Sequence, residues 1–224
     1  MKLASFFLFL LLPALGIAGE KLPRVLIIGD FVHQQAVQGV QKDLKGKADV
    51  HYPRLDPGIV VSSFSVLEYF DQFVGEGDWD VIHFNVGLGD LIYRAPWMKA
   101  LRVFPRHAGG IRNTPPEQYK KNLHELVRRL KATNAKLIWA STTPIRHSAA
   151  DVFEKGSEIE YNAIAAKVMK EHGIPTNDMY AFVTNLIDMD KPAGHGADPF
   201  HFDKKPIHPP IMEAIQAALG LPKE

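Results

Sequence analysis

The chain has 224 residues, of which 46% are hydrophobic and 23% charged, a balance that is typical of a folded protein and excludes general disorder. Lys and Arg number 26 and Asp and Glu 25, so a net charge of +1 gives no overall attraction to nucleic acid or to an acidic membrane. The absence of cysteine excludes disulfides, thiolate metal sites, iron–sulfur clusters and cysteine nucleophiles.

The N-terminus has the pattern of a secretory signal peptide. A short basic segment, Met1-Lys2, precedes an almost wholly apolar run over residues 3–15, and small residues follow at 16–18. The apolar run is short for a permanent membrane anchor. We therefore expect residues 1–19 to be a cleaved signal and the mature protein to be secreted or periplasmic, with no membrane association after cleavage. A buried N-terminal helix or an uncleaved membrane tether is the alternative.

Strands and helices are predicted to alternate along residues 20–224, which we interpret as one domain. Apolar runs predict strands at residues 24–29, 50–52, 79–85, 136–140 and about 174–177. Helical apolar spacing predicts helices at residues 36–44 and 65–74, and others that begin after residues 114, 157 and 210. Two of these carry a capping-box pattern, Thr114 with Glu117 and Ser157 with Glu160.

This alternation predicts an α/β fold, a three-layer αβα sandwich with a central parallel sheet. In such sheets the ligand site lies outside the carboxyl ends of the strands. Three segments are expected there, residues 29–33, 85–90 and 141–146. Their polar side chains, expected to line the site, are Asp30, His33, Asn85 and Asp90.

Four sequence blocks, in order, resemble those of the SGNH or GDSL-type hydrolases. Residues 27–30 (Ile-Ile-Gly-Asp) resemble the strand that ends in Gly-Asp-Ser, and residues 56–58 stand where the second block places its glycine. Residues 81–91 resemble the block that reads Gly-x-Asn-Asp, and residues 198–201 match Asp-x-x-His. The resemblance spans nearly the whole mature chain. It implies the flavodoxin-like sandwich of that family and an ancestral ester hydrolysis, carbohydrate O-acyl esters included.

The resemblance also implies roles for particular residues. In the family a Ser attacks an ester carbonyl, a His oriented by an Asp takes the Ser proton, and backbone N–H groups with an Asn side chain bind the oxyanion. Here His201 and Asp198 match the dyad and Gly58 the oxyanion glycine, but Phe31 replaces the Ser and Gly89 the Asn. Loss of a catalytic Ser typically lowers turnover by about 10⁶. We therefore expect the serine mechanism to be lost, and whether the chain is an enzyme stays open.

Other groups could take over the chemistry. Hydroxyl side chains near the expected site are Ser62, Ser63, Ser65, Ser141 and Thr142, which we interpret as helix-capping or loop-bonding residues. His33 and His201 could approach each other beside Asp30 and activate a water on a metal, but no tight ligand motif is present. We predict no metal and no cofactor. Asp198 and His201 could equally persist as a structural hydrogen bond.

An insertion over residues 91–113 is long for a connection in such a domain. Between residues 94 and 112 it contains five Lys or Arg residues and no acidic one, together with aromatic residues. One interpretation is a lid that recognises an anionic saccharide through Trp97, Arg102 and Arg106. The other is a packed subdomain with a solvated basic rim.

Two functions follow from these observations. One is an exported ester hydrolase with a substitute route, and the other is a non-catalytic module that binds a glycan or a protein. The expected ligand is a small ester or a glycan, nucleic acid is not expected, and the oligomeric state is left open.

Overall fold

The computed structural model describes residues 21–193 and 198–222, so the expected signal at residues 1–19 lies outside the described part. A five-stranded parallel sheet in the order β2-β1-β3-β6-β7 forms the centre, and β4 and β5 form a small antiparallel pair. The strands are β1 (Arg24–Ile28), β2 (Asp49–His51), β3 (Val81–Phe84), β4 (Tyr93–Arg94), β5 (Ile111–Arg112), β6 (Lys136–Ala140) and β7 (Thr176–Asn177). The helices are α1 (Phe31–Asp43), α2 (Ser63–Glu68), α3 (Phe70–Val74), α4 (Leu88–Leu91), α5 (Pro116–Lys131), α6 (Ser157–Glu171), α7 (Met179–Leu186) and α8 (Pro209–Leu219).

The predicted α/β sandwich is confirmed. Strands β1 and β3 are buried almost throughout and pair in parallel, with Val25 opposite Val81 and Ile28 opposite Phe84. Helices α1 and α8 pack together, and α5 packs against α2 and α6. Burial on both faces explains why these strands are continuously apolar rather than alternating. Within the described ranges, no helix is both long and apolar enough to span a membrane.

Helix α1 begins five residues earlier than predicted, at the end of β1. The Asp30 side chain caps it, accepting hydrogen bonds from the backbone N–H groups of Val32 and His33 at 3.0 and 3.3 Å. This cap places residue 31 in the first turn of the helix, facing the carboxyl edge of the sheet. The helix predicted at residues 65–74 is instead two short helices, α2 and α3, separated at Tyr69.

Both predicted capping boxes are wrong. Thr114 is buried and its N–H donates to the Asp90 carbonyl at 3.0 Å, while its hydroxyl bonds to the Asp90 carboxyl group, so α5 starts without a side-chain cap. The Ser157 hydroxyl donates to the Glu154 carbonyl at 2.7 Å, and Gly156, in a left-handed conformation, precedes α6. In each case a tertiary or local partner outcompetes the helix end for the hydroxyl.

Candidate functional site

A cavity of about 430 Å³ opens at the carboxyl ends of β1 and β3, and we name it the Phe31 cavity after the ring in its wall. Ten of its sixteen lining residues are apolar and two are glycines. The polar residues among them are Asp30, Gln34, Tyr52 and Asp56. A larger depression of about 650 Å³ lies beside Arg24 and Asp49, where β1 and β2 begin. We place the candidate site in the Phe31 cavity because ligands of parallel sheets bind at the carboxyl ends of the strands.

Phe31 is the residue that the sequence resemblance aligns with the nucleophile. The side chain is 37% exposed, and its ring meets the ring of Phe200 edge to face, with centroids 5.2 Å apart. The buried Phe200 ring in turn contacts the ring of Phe153 at 5.4 Å. This aromatic row fastens α1 to the loop that carries residues 198–201, and a benzyl group offers no nucleophile.

The two glycines of the cavity wall differ. Gly58 has a φ of +91°, and a Cβ there would meet nothing within 4 Å. At Gly89 a Cβ would lie 2.0 Å from the carbonyl oxygen of Val61, whereas ordinary contacts begin near 3.4 Å. The position expected to carry the oxyanion Asn is therefore closed by backbone, and any side chain there requires the chain around Val61 to move.

The structure brings Asp198 and His201 together but leaves His201 outside the wall of the Phe31 cavity. The His201 Nδ1 lies 3.4 Å from the Asp198 Oδ2, and the His201 side chain is 53% exposed. His201 lines a separate depression of about 410 Å³ with Lys204 and His208. Phe200 connects the two regions: its buried ring packs on Phe31, and the residue also borders the second depression. In this arrangement the dyad and the oxyanion glycine do not share a cavity.

A buried arginine that sequence reasoning missed anchors the turn after His201. Arg146 is 1% exposed, and its Nη1 lies 3.0 Å from the Asp203 Oδ1 while its Nη2 donates to the Lys191 carbonyl at 2.6 Å. Residues 202–204 all have positive φ angles, between 44° and 61°. A left-handed backbone conformation costs roughly 1–2 kcal/mol per non-glycine residue, so the hydrogen bonds of Arg146 stabilise an otherwise unfavourable turn.

Three of the four polar residues expected to line the site are buried beneath it. His33 is fully buried, with its Nδ1 3.1 Å from the Asp30 Oδ1, and Asn85 is fully buried, donating to the Ala140 carbonyl at 2.9 Å. The ring of His33 lies 6.0 Å from that of His83, a residue that the sequence placed in β3. Burial, and secondarily the charge on His33, lowers the pKa of His83 to about 3.

Asp90, the third of these buried residues, links α4 to α2 through hydrogen bonds. Its carboxylate accepts the Ser63 N–H at 2.8 Å and the Ser63 hydroxyl at 2.6 Å, and Asn122 donates to the same hydroxyl oxygen at 2.9 Å. Burial raises the pKa of Asp90 to about 6, and the hydrogen bonds from Ser63 limit that rise. Of the expected lining residues, only Asp30 reaches the cavity wall.

The hydroxyl side chains considered as substitutes all have structural partners. Ser62 and Ser65 form a capping box at the start of α2, and the Ser65 hydroxyl also donates to the Val60 carbonyl at 2.7 Å. The Ser141 hydroxyl donates to Asp178 at 2.9 Å, and the Thr142 hydroxyl oxygen accepts from Asn85. The interpretation of these residues as capping and loop-bonding groups is confirmed.

The insertion forms the β4–β5 hairpin and its loop. Trp97 is 66% exposed and its ring packs edge to face on Phe104, with centroids 4.8 Å apart. Arg106 and Arg112 both pair with Glu154, at 3.0 and 2.7 Å, so two of the five cations of the insertion share one carboxylate. The three candidate ligand residues, Trp97, Arg102 and Arg106, are absent from the lining of the Phe31 cavity as described; only Ile92, at the foot of the insertion, reaches it.

A metal site at His33, His201 and Asp30 was considered from the sequence. In the part of the chain that the structure describes, no group of three or more His, Asp or Glu side chains is arranged to hold a metal ion. His33 is buried below the cavity, whereas His201 faces the separate depression.

Solved structures with similar folds are hydrolases. An acetyl xylan esterase, AlAXEase, superposes with a TM-score of 0.60 at 19% identity, covering 88% of this chain and 99% of its own. The fold is similar to those of solved esterases and GDSL-like lipases. An α/β hydrolase from the metagenome of Lake Arreo, Spain, has a TM-score of 0.63 at 18% identity over 90% of this chain and 97% of its own. A GDSL-like lipase from Bacteroides thetaiotaomicron has a TM-score of 0.58 at 16% identity over 87% and 88%. No protein-family model and no curated protein matches the sequence.

Proposed function

We propose that this chain is an exported binding protein on the SGNH hydrolase fold, which holds a small, mainly apolar ligand in the Phe31 cavity and does not hydrolyse esters through a serine. The ring of Phe31 is the observation that carries the proposal. The sequence resemblance aligns it with the nucleophile, and the ring packs on Phe200. Closure of Gly89 by Val61 and the exclusion of His201 from the cavity wall support the same conclusion.

The cavity walls indicate the ligand class. A volume of about 430 Å³ is within the range of small-molecule sites, and its lining is mostly apolar. A bare sugar ring needs many hydrogen bonds to replace those it makes to water, and the wall has four polar side chains. An acyl, aryl or alkyl group therefore fits these walls better than an unsubstituted saccharide.

Ester hydrolysis is tested directly. Wild-type protein, His201→Ala and Phe31→Ser are assayed with p-nitrophenyl acetate and acetylated xylan. We expect the wild-type rate to equal that of His201→Ala, since none of the described residues that line the cavity is a serine. Wild-type turnover that falls in His201→Ala would contradict the proposal and restore a hydrolase that works by another route.

Ligand binding is tested with 2-phenylethanol, a neutral apolar probe, by ligand-observed NMR. Val60 lines the cavity and is partly exposed, so Val60→Trp should fill the entrance and abolish binding. Phe64→Trp is the matched control, because Phe64 is exposed on α2 and stands outside the cavity lining. Equal binding by both variants would show that the probe binds elsewhere.

A second candidate function is glycan recognition by the insertion. Trp97 is largely exposed and Arg102 is exposed in the same insertion, two side chains suited to stacking on a sugar and binding an anionic group. Titration with an oligogalacturonate should then show weaker binding for Trp97→Ala and Arg102→Ala. Binding that is unchanged in both variants, or absent from the wild type, would remove this candidate.

A further inference from the structure

The polar groups around the Phe31 cavity favour one sign of ligand charge. Asp30 and Asp56 contribute carboxylates, and the described residues place no Lys, Arg or His in the wall. The Tyr52 hydroxyl donates its proton to the Gly29 carbonyl at 2.7 Å, so it offers the cavity an acceptor. Gln34 is neutral. Anions have no cationic partner in such a wall, whereas cations and hydrogen-bond donors have several acceptors.

The hydrogen bonds of Asp30 are unevenly distributed. Its Oδ1 accepts from the backbone N–H groups of Val32 and His33, and lies 3.1 Å from the His33 Nδ1. Its Oδ2 has no hydrogen-bond partner among the described residues and is closed to bulk solvent, and the residue is 3% exposed. A buried carboxylate oxygen without a donor is costly, and this oxygen exposes less than 1 Å² even toward the cavity, so a ligand donor gains this hydrogen bond only when a small shift of the wall uncovers it.

Aromatic faces adjoin the same carboxylate. Phe31 follows Asp30 in the chain and lines the cavity with a partly exposed ring, and the Tyr52 ring stands in the wall beside it. Burial, together with the negative charge of Asp30, raises the pKa of Tyr52, which indicates that the field of Asp30 extends to this side of the cavity. An aromatic face close to a carboxylate is a favourable surrounding for an ammonium group.

We infer that the ligand of the Phe31 cavity is a small organic cation, a primary ammonium on an apolar body, which donates a hydrogen bond to the Asp30 carboxylate and lies against the ring of Phe31. The inference rests on the proposed binding function and names the ligand class of that site. The apolar body occupies the wall formed by residues such as Leu55, Leu88 and Ile92. Asp56, on an exposed loop, adds long-range attraction.

Three probes of the same shape test the inference by calorimetry at low salt and near neutral pH. They are 2-phenylethylamine, which is then an ammonium ion, neutral 2-phenylethanol and anionic phenylacetate. We expect the amine to bind about tenfold more tightly than the alcohol, and phenylacetate not to bind. Asp30→Asn should remove the preference for the amine over the alcohol, because the amide carries no charge and still caps the helix. Asp71→Asn is the control, with a change of less than about threefold, because Asp71 is exposed on α3 and stands outside the cavity lining.

The outcomes separate this inference from the proposed function. Equal affinity for amine and alcohol in the wild type would overturn the ammonium inference alone. Failure of both probes to bind would overturn the proposed function as well. A preference that survives in Asp30→Asn would overturn the role of Asp30. A second measurement needs no variant: raising the salt to about 0.5 M should weaken binding of the amine but not of the alcohol, and salt-independent amine binding would contradict the inference.

Discussion

Replacing Gly89 with Ala tests how the oxyanion position is closed. The new Cβ would lie 2.0 Å from the Val61 carbonyl oxygen, 2.8 Å from its carbon and 3.1 Å from a methyl group of Val60. The chain at Val61 has little freedom to retreat, because the next residues form the capping box of α2 and Ser63 is bound to Asp90. The clash therefore falls on a fixed stretch of backbone.

The magnitude follows from opposing contributions. In an unhindered helix Ala is favoured over Gly by about 1 kcal/mol. Overpacking costs roughly 1–3 kcal/mol, and stretching a hydrogen bond to the Asp90 carboxylate costs roughly 1.5–3 kcal/mol more. We expect Gly89→Ala to lower the free energy of unfolding by roughly 3 kcal/mol, and the melting temperature by roughly 6–12 °C for a domain of this size.

Urea unfolding followed by circular dichroism measures this loss. Gly58→Ala is the matched control in the same cavity wall, since its Cβ meets nothing and only its φ of +91° is unfavourable. That control should lose roughly 1–2 kcal/mol. A Gly89→Ala variant as stable as the wild type would contradict the conclusion that the backbone at Val61 leaves no room for a side chain at residue 89. The same reasoning predicts that Gly89→Asn does not restore an oxyanion donor.

Three further predictions concern buried polar groups, each measured by urea unfolding. Folding lowers the pKa of His83 to about 3, so this residue is neutral in the folded protein. Its contribution to the free energy of unfolding is complete above its ordinary pKa of 6.5 and is lost as the pH falls, by up to about 1.4 kcal/mol per pH unit. His83→Gln should show a shallower loss of stability on acidification, and an unchanged slope would refute this. Asp90 gives the opposite pH dependence, because its pKa is raised from 3.8 to about 6. Its contribution to the free energy of unfolding is complete below pH 3.8 and is lost as the pH rises through 6, a loss of roughly 3 kcal/mol. Asp90→Asn should remove that loss, and a pH profile that parallels the wild type would argue against it. Asp203→Asn leaves the buried Arg146 without its carboxylate and should cost roughly 1–3 kcal/mol, whereas a neutral result would mean that the left-handed turn needs no anchor.

Strand patterns in the sequence were enough to predict the sheet. The strand at residues 136–140 matches β6 residue for residue, because a buried parallel strand has to be continuously apolar. The strand ends predicted that residues 29–33 and 85–90 would meet, and Phe31 and Gly89 line one cavity; Gly58, expected there from the family resemblance, lines it too. These positions depend on local pattern and on the general geometry of parallel sheets.

What the sequence did not predict depends on contacts between distant segments. The sequence pattern predicts that Thr114 caps a helix, but its hydroxyl bonds instead to the buried carboxyl group of Asp90. Phe200 stands inside the motif that contains His201, yet no periodicity indicates that its ring packs on Phe31. The burial of Arg146 likewise depends on a partner 57 residues away in the chain. The catalytic or binding roles of the candidate residues remain predictions.

Covalent labelling tests the central claim most directly. Wild-type protein is incubated with an alkyl fluorophosphonate, which reacts with activated serines, and its intact mass is measured. Because the sequence resemblance aligns Phe31 with the nucleophile, and Ser62 and Ser65 are bound into a capping box, the mass should not change. A stoichiometric adduct on any serine, accompanied by loss of a measurable ester turnover, would show that the chain is a working serine hydrolase.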